Sequence, residues 1–181
     1  MSHFGDRLTQ ANRQTGTTLC MGIDPHVSMI PALFGAAQDG HASDAAIRAI
    51  DDFSMACLEQ AIGTVAAIKP QAAFFEQHGP AGMQILQNLG RAAIDAGLLV
   101  IMDAKRGDIG STSSAYAAGR IGHDAPFPSD ALTINPWLGI DTLGPFLDRA
   151  DSTGSGLFVL HRTSNPGPGD CQDQLVNGQP L

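Results

Sequence analysis

Four charged residues lie within six positions of the chain and follow directly on an apolar run. The stretch "VIMDAKRGD" places Asp103, Lys105, Arg106 and Asp108 after residues 100–102. Because side chains alternate along a strand, Asp103 and Lys105 are predicted to project from the same side of it. A carboxylate that pairs with an ammonium keeps that ammonium charged and in place even when both are buried. Such an ammonium can stabilise negative charge that develops on a substrate and can then donate a proton to it.

The same pattern has an ordinary structural explanation when it stands alone. Asp103 and Lys105 could form a solvated ion pair, and Asp108 could cap the next helix. Two other predicted strands also end in ionisable residues, Asp24 after "CMGI" and Lys69 after "VAAI". Charged groups that converge on one end of a sheet are costly to desolvate, so their convergence favours a catalytic interpretation.

The segments that must position these residues alternate between short apolar runs and longer amphipathic ones. The apolar runs are bounded by Gly, Pro, Asp or Asn, as buried strands are, and cover residues 18–24, 64–70, 98–104, 130–136 and 156–163. Apolar residues at helical spacing cover residues 43–63, 79–97, 111–122 and 139–150. Strands that alternate with helices predict βαβ units on a parallel sheet, which is the α/β fold class.

Composition narrows the class of protein further. The chain has 181 residues of which 43% are hydrophobic, enough for the core of one domain, and no apolar run reaches the roughly 18 residues that a membrane span needs. The first 16 residues are polar and lack the apolar segment of a signal peptide, so we expect a cytoplasmic protein. The formal net charge of −8 and the lack of a basic run argue against nucleic acid or a membrane as a partner, whereas a small anionic substrate remains compatible.

Cysteine and histidine spacing gives no support for a metal site or a disulfide framework. Cys20, Cys57 and Cys171 form no C-x-x-C pair, and the six histidines form neither H-x-H nor H-E-x-x-H. We therefore expect no metal, and reduced thiols with Cys20 and Cys57 in core positions.

Taken together, four stretches in a fixed order resemble the orotidine 5'-phosphate decarboxylases, in their bacterial subgroup with longer loops. They are "LCMGIDPH", "AAIKPQAAFFEQHG", "MDAKRGDIGSTSSAYA" and "VLHRTSNPG", and the resemblance extends over nearly the whole chain from about residue 4. It implies a (β/α)8 TIM barrel. It also implies decarboxylation of orotidine 5'-phosphate to UMP, the last step of de novo pyrimidine nucleotide biosynthesis, with neither a metal nor an organic cofactor.

The resemblance assigns a catalytic role to Lys69, Asp103, Lys105 and Asp108. Lys105 is expected to stabilise the carbanion at C6 of the substrate and to protonate it. Asp103 is expected to keep Lys105 charged and to disfavour the substrate carboxylate before CO2 leaves. Lys69 is expected to hold Asp103 and the ribose hydroxyls in register.

The resemblance also implies substrate-binding residues and a homodimer. Asp24 is expected to contact the ribose and Ser164 the pyrimidine. Asp108, Ile109 and Thr112 are expected to reach the active site of the neighbouring subunit. The implied partners are therefore a small-molecule substrate and a second copy of the chain.

The length of the chain departs from the family pattern. A full barrel has eight strand–helix units and about 250 residues, with phosphate sites after the last two strands. The sequence predicts about five such units, so we expect residues 1–181 to be a single domain that corresponds to the N-terminal two-thirds of the barrel. We also expect exposed sheet edges, no phosphate-binding residues and no activity of this chain alone.

Two alternatives remain open on the sequence. The first is a Mg²⁺-dependent enzyme of the same barrel group, such as a 3-hexulose-6-phosphate synthase or a ketogulonate phosphate decarboxylase. Those enzymes carry an acidic residue at the second strand end, where this chain has Lys69. The second alternative is a non-catalytic remnant, which either has no activity or acts only by pairing with intact subunits.

Overall fold

A single parallel sheet organises the chain. The structure is a computed structural model that describes residues 2–35 and 43–180. The five strands lie side by side in chain order and are Cys20–Ile23 (β1), Ala67–Pro70 (β2), Leu99–Arg106 (β3), Ala131–Ile134 (β4) and Gly156–Val159 (β5). Each strand pairs in parallel with the next one along the chain. The prediction of five parallel strands is confirmed, and most strands are shorter than the apolar runs because the residues at the ends of those runs are irregular.

Helices connect the first four strands to the strands that follow them. The helices are Phe4–Thr15 (α1), Asp44–Ala61 (α2), Ala73–Glu76 (α3), Gly79–Asp95 (α4), Gly110–Arg120 (α5) and Gly144–Thr153 (α6). Four of them, α2 and α4–α6, lie on the predicted helical segments. After β5 the described chain forms a 3₁₀ turn at Pro168–Asp170 and a hairpin of Leu175–Val176 (β6) with Gln179–Pro180 (β7). The fifth predicted unit therefore has its strand but no helix within the described residues.

The two faces of the sheet have different neighbours. One face packs against the helices in the main core, to which the three central strands contribute Ile68, Val100, Met102, Leu132 and Ile134. The alternate positions form a second cluster that contains Phe4, Ala67, Leu99, Ile101 and Ala131. We refer to this second face as the inner face. The alternation continues to Lys69, Asp103 and Thr133, so polar side chains occupy the inner face at the carboxyl ends of the strands.

Helix α1 closes the opposite end of the inner face. Phe4 is buried, and a Cβ atom at Gly156 would lie 2.3 Å from its ring, so only glycine fits beneath it. Arg7 pairs with the buried carboxylate of Asp130, whose Oδ2 also accepts the backbone N–H of Val100 at 2.8 Å. This helix was not predicted, because Phe4 is its one fully buried side chain and the rest of the segment is mostly polar.

The edges of the sheet are open in the described part of the chain. β1 and β5 each pair on one side, and Phe158 and Val159 of β5 are 43% and 48% exposed. The expectation of exposed edges holds for these residues. Cys20, at the β1 edge, is exposed, so its predicted core position is wrong, whereas Cys57 is half-buried against the core. Of the helices that the structure describes, none is long and apolar enough to cross a membrane.

Candidate active site

The carboxylate of Asp103 lies between two ammonium groups at the carboxyl end of the inner face. Lys69 Nζ is 2.7 Å from Asp103 Oδ2, and Lys105 Nζ is 2.5 Å from Asp103 Oδ1. These two residues are the only lysines of the chain, since its other eight basic residues are arginines. One carboxylate between two ammonium groups leaves this cluster of three side chains with a net positive charge.

The electrostatic balance at Asp103 keeps its carboxylate ionised. Asp103 is only 6% exposed, and burial by itself raises the pKa of the carboxyl group. Hydrogen bonds from Lys105 and Lys69, with a smaller contribution from Thr133, outweigh burial and bring the pKa of Asp103 below its ordinary value. The lysine side chains are 36% and 43% exposed, so both can contact a ligand at this end of the sheet.

Thr133 completes this cluster and was missed by the sequence reasoning. Its hydroxyl donates to Asp103 Oδ1 at 3.0 Å and accepts the backbone N–H groups of Ala104 and Lys105 at 3.0 and 2.9 Å. The signal that would have found it is a polar residue at an inner-face position of the apolar run "ALTI", level with Asp103. Lys105 has a φ of 49°, a left-handed conformation that costs a non-glycine residue about 1–3 kcal/mol.

Asp24 lies at the neighbouring strand end. The β1–β2 register pairs Gly22 with Lys69 and Ile23 with Pro70, so Asp24 follows one residue beyond the last paired position. It is exposed, and its carbonyl accepts the N–H of His26 at 2.8 Å. Asp24 is therefore available to a ligand on the same side of the sheet as the lysines.

The residues expected to serve a neighbouring subunit lie at the start of α5. Asp108 is half-buried, and its Oδ1 accepts the N–H of Ile109 at 2.7 Å. Ile109 is 63% exposed, and Thr112 is exposed in the first turn of the helix. Within residues 2–35 and 43–180, Asp108 forms no salt bridge, so the structure does not join it to the cluster around Asp103.

Ser164 lies in the loop after β5, apart from the charged cluster. β5 ends at Val159, four residues before its predicted end, and Ser164 is exposed. The loop is tied back on itself, because Arg162 forms a two-point salt bridge with Asp173 at 2.8 and 3.0 Å. Ser164 therefore follows the carboxyl end of β5, and a role for it in substrate binding stays a prediction.

A second charged cluster, which the sequence reasoning also missed, anchors the end of β3 from the helix side. Glu76 of α3 forms salt bridges with Arg106 and Arg120, the latter at 2.9 Å. The guanidinium of Arg106 also lies over the ring of Tyr116, 5.5 Å from its centre. Because Arg106 directly follows Lys105, this cluster restrains the backbone from the opposite side of the sheet. The described residues contain no group of three or more His, Cys, Asp or Glu side chains that could hold a metal ion.

The lowered pKa of Asp103 predicts a specific dependence of stability on pH. A carboxyl group whose pKa is lower in the folded than in the unfolded state contributes stability that is complete above its unfolded pKa of about 3.9 and is lost as the pH falls through the folded pKa. We expect Asp103→Asn to be less stable than the parent chain by about 1–3 kcal/mol at pH 7. This difference should shrink below about pH 4.

Urea unfolding at pH 7, 4 and 3 measures that difference. Asp95→Asn, which changes an exposed carboxylate at the end of α4, is the control and should alter the free energy of unfolding little at any of these pH values. A difference between Asp103→Asn and the parent that does not change with pH would contradict the assigned electrostatic balance.

Comparison with known proteins places the chain in one family. A family model described as orotidine 5'-phosphate decarboxylase / HUMPS family matches residues 17–180. The curated orotidine 5'-phosphate decarboxylase of Rhodopirellula baltica is 42% identical over 185 residues, a match that covers 100% of this chain and 61% of that protein. The one from Streptomyces coelicolor is 46% identical over 172 residues, with 95% and 59% covered.

Solved structures extend the agreement to the fold. The structure of Leishmania donovani OMP decarboxylase has a TM-score of 0.76 and 33% identity, with 100% of this chain and 62% of that chain covered. A crystal structure from Streptomyces avermitilis has a TM-score of 0.87 at 42% identity, with 100% and 61% covered. The chain thus spans about three-fifths of the length of the curated relatives that it matches, and the predicted α/β barrel class is confirmed. The chain belongs to the orotidine 5'-phosphate decarboxylase / HUMPS family.

Proposed function

We propose that the protein containing this chain decarboxylates orotidine 5'-phosphate to UMP and that Lys105 is its general acid. The observation that carries the proposal is the Asp103 carboxylate held between Lys69 and Lys105 at the carboxyl end of the inner face. Curated relatives at 42–46% identity carry the name orotidine 5'-phosphate decarboxylase, which supports the same activity.

The reaction needs a positive charge at a fixed place. When the bond between C6 and the carboxyl carbon breaks, CO2 leaves and the electron pair stays on C6, where no adjacent carbonyl delocalises it well. An ammonium already in position stabilises this carbanion without reorganisation. Lys105 then transfers one Nζ proton to C6, which gives UMP and a neutral amine that solvent reprotonates.

Asp103 has two effects on this step, one on Lys105 and one on the substrate. It keeps Lys105 charged and oriented through the 2.5 Å hydrogen bond, and its negative charge disfavours a substrate carboxylate placed beside it. Lys69 shares the same carboxylate and reaches toward the ribose hydroxyls, to which Asp24 also binds. Ser164 contacts the pyrimidine. Binding of these non-reacting groups supplies energy for the chemical step.

Lys69 also separates this proposal from the Mg²⁺-dependent alternative. Those enzymes carry an acidic residue where this chain has Lys69, whose Nζ already lies 2.7 Å from Asp103. An ammonium in that place competes with a divalent cation for the carboxylate and lowers the negative charge that would attract the cation. We therefore propose a reaction that uses no metal or organic cofactor.

We propose further that the protein acts as a homodimer in which Asp108, Ile109 and Thr112 contribute to the neighbouring site. Ile109 is a large apolar residue exposed at the start of α5. α5 packs against the 3₁₀ turn Ile140–Leu143. Ile140 in this turn is exposed, and so are the two apolar residues shortly before it, Trp137 and Leu138. Apolar residues exposed close together are typical of a protein–protein interface.

The remaining expectations about the chain stay proposals. We propose that residues 1–181 form one domain that corresponds to the N-terminal part of the barrel of its relatives. Two expectations stay predictions: residues 1–181 are inactive alone, and the protein is cytoplasmic.

Kinetic measurements therefore use a chimera, in which residues 1–181 are followed by the part of the Streptomyces coelicolor relative that lies beyond the match.

In this chimera, Lys105→Ala should reduce kcat by at least about 10³-fold while UMP binds within about threefold of the parent, because the lost ammonium acts mainly in the transition state. The loss of orotidine 5'-phosphate absorbance measures kcat, and calorimetry measures UMP binding. Arg13→Ala, which removes an exposed cation from α1, is the control and should leave both unchanged. Turnover of Lys105→Ala within tenfold of the parent, or a parent chimera that binds UMP without turnover, would refute the proposed function.

Mixing inactive subunits tests the shared site. If Asp108 serves the neighbouring subunit, a dimer of one Lys105→Ala and one Asp108→Ala chain has one site with both residues intact, and activity should return toward half that of a parent dimer. Native mass spectrometry establishes that mixed dimers have formed. Mixed dimers without activity would place Asp108 in the site of its own subunit or outside catalysis.

A further inference from the structure

The β3–β4 pairing contains a large bulge at the charged cluster. Met102 pairs with Leu132 and Arg106 pairs with Ile134, so three residues of β3 lie opposite Thr133 alone. In a regular parallel pair, Thr133 would face a single residue. Bulges that change the number of facing residues re-aim side chains and recur beside active sites.

The bulge allows both charged side chains of the D-x-K motif to face the same partner. In a regular register, Asp103 would lie opposite Thr133, and Lys105 would be one inner-face position further along the sheet. With the bulge, Lys105 takes a left-handed turn at φ 49°, and its Nζ returns to Asp103 Oδ1 at 2.5 Å. The bulge therefore sets how the ammonium of Lys105 is oriented toward Asp103.

The far end of the bulge is fixed by the backbone. Asn135 donates its N–H to the carbonyl of Arg106 at 2.8 Å, which restores the ladder after the extra residues. At Gly107 a Cβ atom would lie 2.5 Å from the carbonyl oxygen of Asn135, so the chain passes too close for any side chain. Within the bulge, the carbonyl of Asp103 accepts the N–H of Ala72 at 3.0 Å, whereas the amides of Ala104 and Lys105 donate to a side chain instead of the backbone.

One hydroxyl group fills the interior of the bulge. A threonine hydroxyl has one proton to donate and two lone pairs to accept with. The Thr133 hydroxyl uses all three, because it accepts from the amides of Ala104 and Lys105 and donates to Asp103 Oδ1. It thus binds the backbone that carries the ammonium and the carboxylate that holds it.

We propose that Thr133 is a positioning residue that sets Asp103 and Lys105 relative to each other, an assignment that rests on the decarboxylase function proposed above. Thr133 acts through these two residues and needs no contact with the reacting atoms. Without its hydroxyl, water can take over the amide of exposed Lys105, but no protein group then holds the amides of Ala104 and Lys105 in place. The ammonium stays charged and present, yet it is no longer preorganised at C6, so the loss falls on the chemical step.

Two substitutions at this position separate the hydroxyl from the shape of the side chain. Thr133→Val keeps the branched shape and removes all three hydrogen bonds, whereas Thr133→Ser keeps the hydroxyl. In the chimera we expect Thr133→Val to lower kcat by 10- to 100-fold, with KM and UMP binding within about threefold of the parent. Thr133→Ser should retain kcat within about threefold, and Thr9→Val, the same change on exposed α1, should have no effect.

A second readout does not depend on turnover. Amide hydrogen exchange at Ala104 and Lys105, measured on the chain of residues 1–181, should be at least about tenfold faster in Thr133→Val and close to the parent in Thr133→Ser. If Thr133→Val does not fold, Thr133→Ala takes its place in both measurements.

The outcomes separate this inference from the proposed function. An inactive parent chimera counts against the decarboxylase, while the exchange rates still show whether Thr133 holds the bulge. Unchanged exchange, unchanged kcat in Thr133→Val, or equal losses of kcat in Thr133→Ser and Thr133→Val would overturn the inference.

Discussion

The site depends on one interaction, the sharing of a buried carboxylate by two ammonium groups. Asp103 is ionised in a place where burial alone would favour its neutral form, and it remains so because Lys69 and Lys105 both donate to it. The carboxylate in turn stabilises the two ammonium groups, which would otherwise repel each other at this short separation. The chain has no other lysines. An arginine could not replace Lys105, because a guanidinium does not give up its proton in the physiological range.

The rest of the fold explains why this cluster can form where it does. The carboxyl ends of parallel strands all lie at the same end of the sheet, so residues far apart in sequence converge there. The inner face is apolar at its other end, where Phe4 and α1 cover Ala67, Leu99 and Ala131. Charges are therefore confined to the end that a ligand can reach. The bulge in β3 then brings two side chains of one strand to a single point.

Much of this could be predicted from the sequence, and the rest fails for physical reasons. The five strands follow from short apolar runs, and the convergence of Lys69 with Asp103 follows from their places at strand ends. Helix α1 was missed because its apolar face is narrow: Phe4, Leu8 and Ala11 pack against the inner face, but only Phe4 is fully buried and the rest of the segment is mostly polar. A polar residue within the run "ALTI" marks Thr133 as unusual, but its contacts with Asp103, Ala104 and Lys105 depend on the irregular register of β3 against β4, which the sequence does not show. The Glu76 cluster is hidden in the same way, because Glu76, Arg106 and Arg120 meet only once three elements have packed.

The central claim is tested most directly by following the NMR signal of the Asp103 carboxyl carbon as the pH is changed. The proteins compared are the parent chain, Lys69→Met, Lys105→Met and the variant with both substitutions. Each methionine keeps roughly the length of the side chain and removes one ammonium. The shared carboxylate predicts that the pKa of Asp103 lies below its ordinary value in the parent, rises in each variant and rises furthest when both lysines are replaced. A pKa at or above the ordinary value in the parent, or one that neither substitution changes, would contradict the claim that this carboxylate holds the two lysines together.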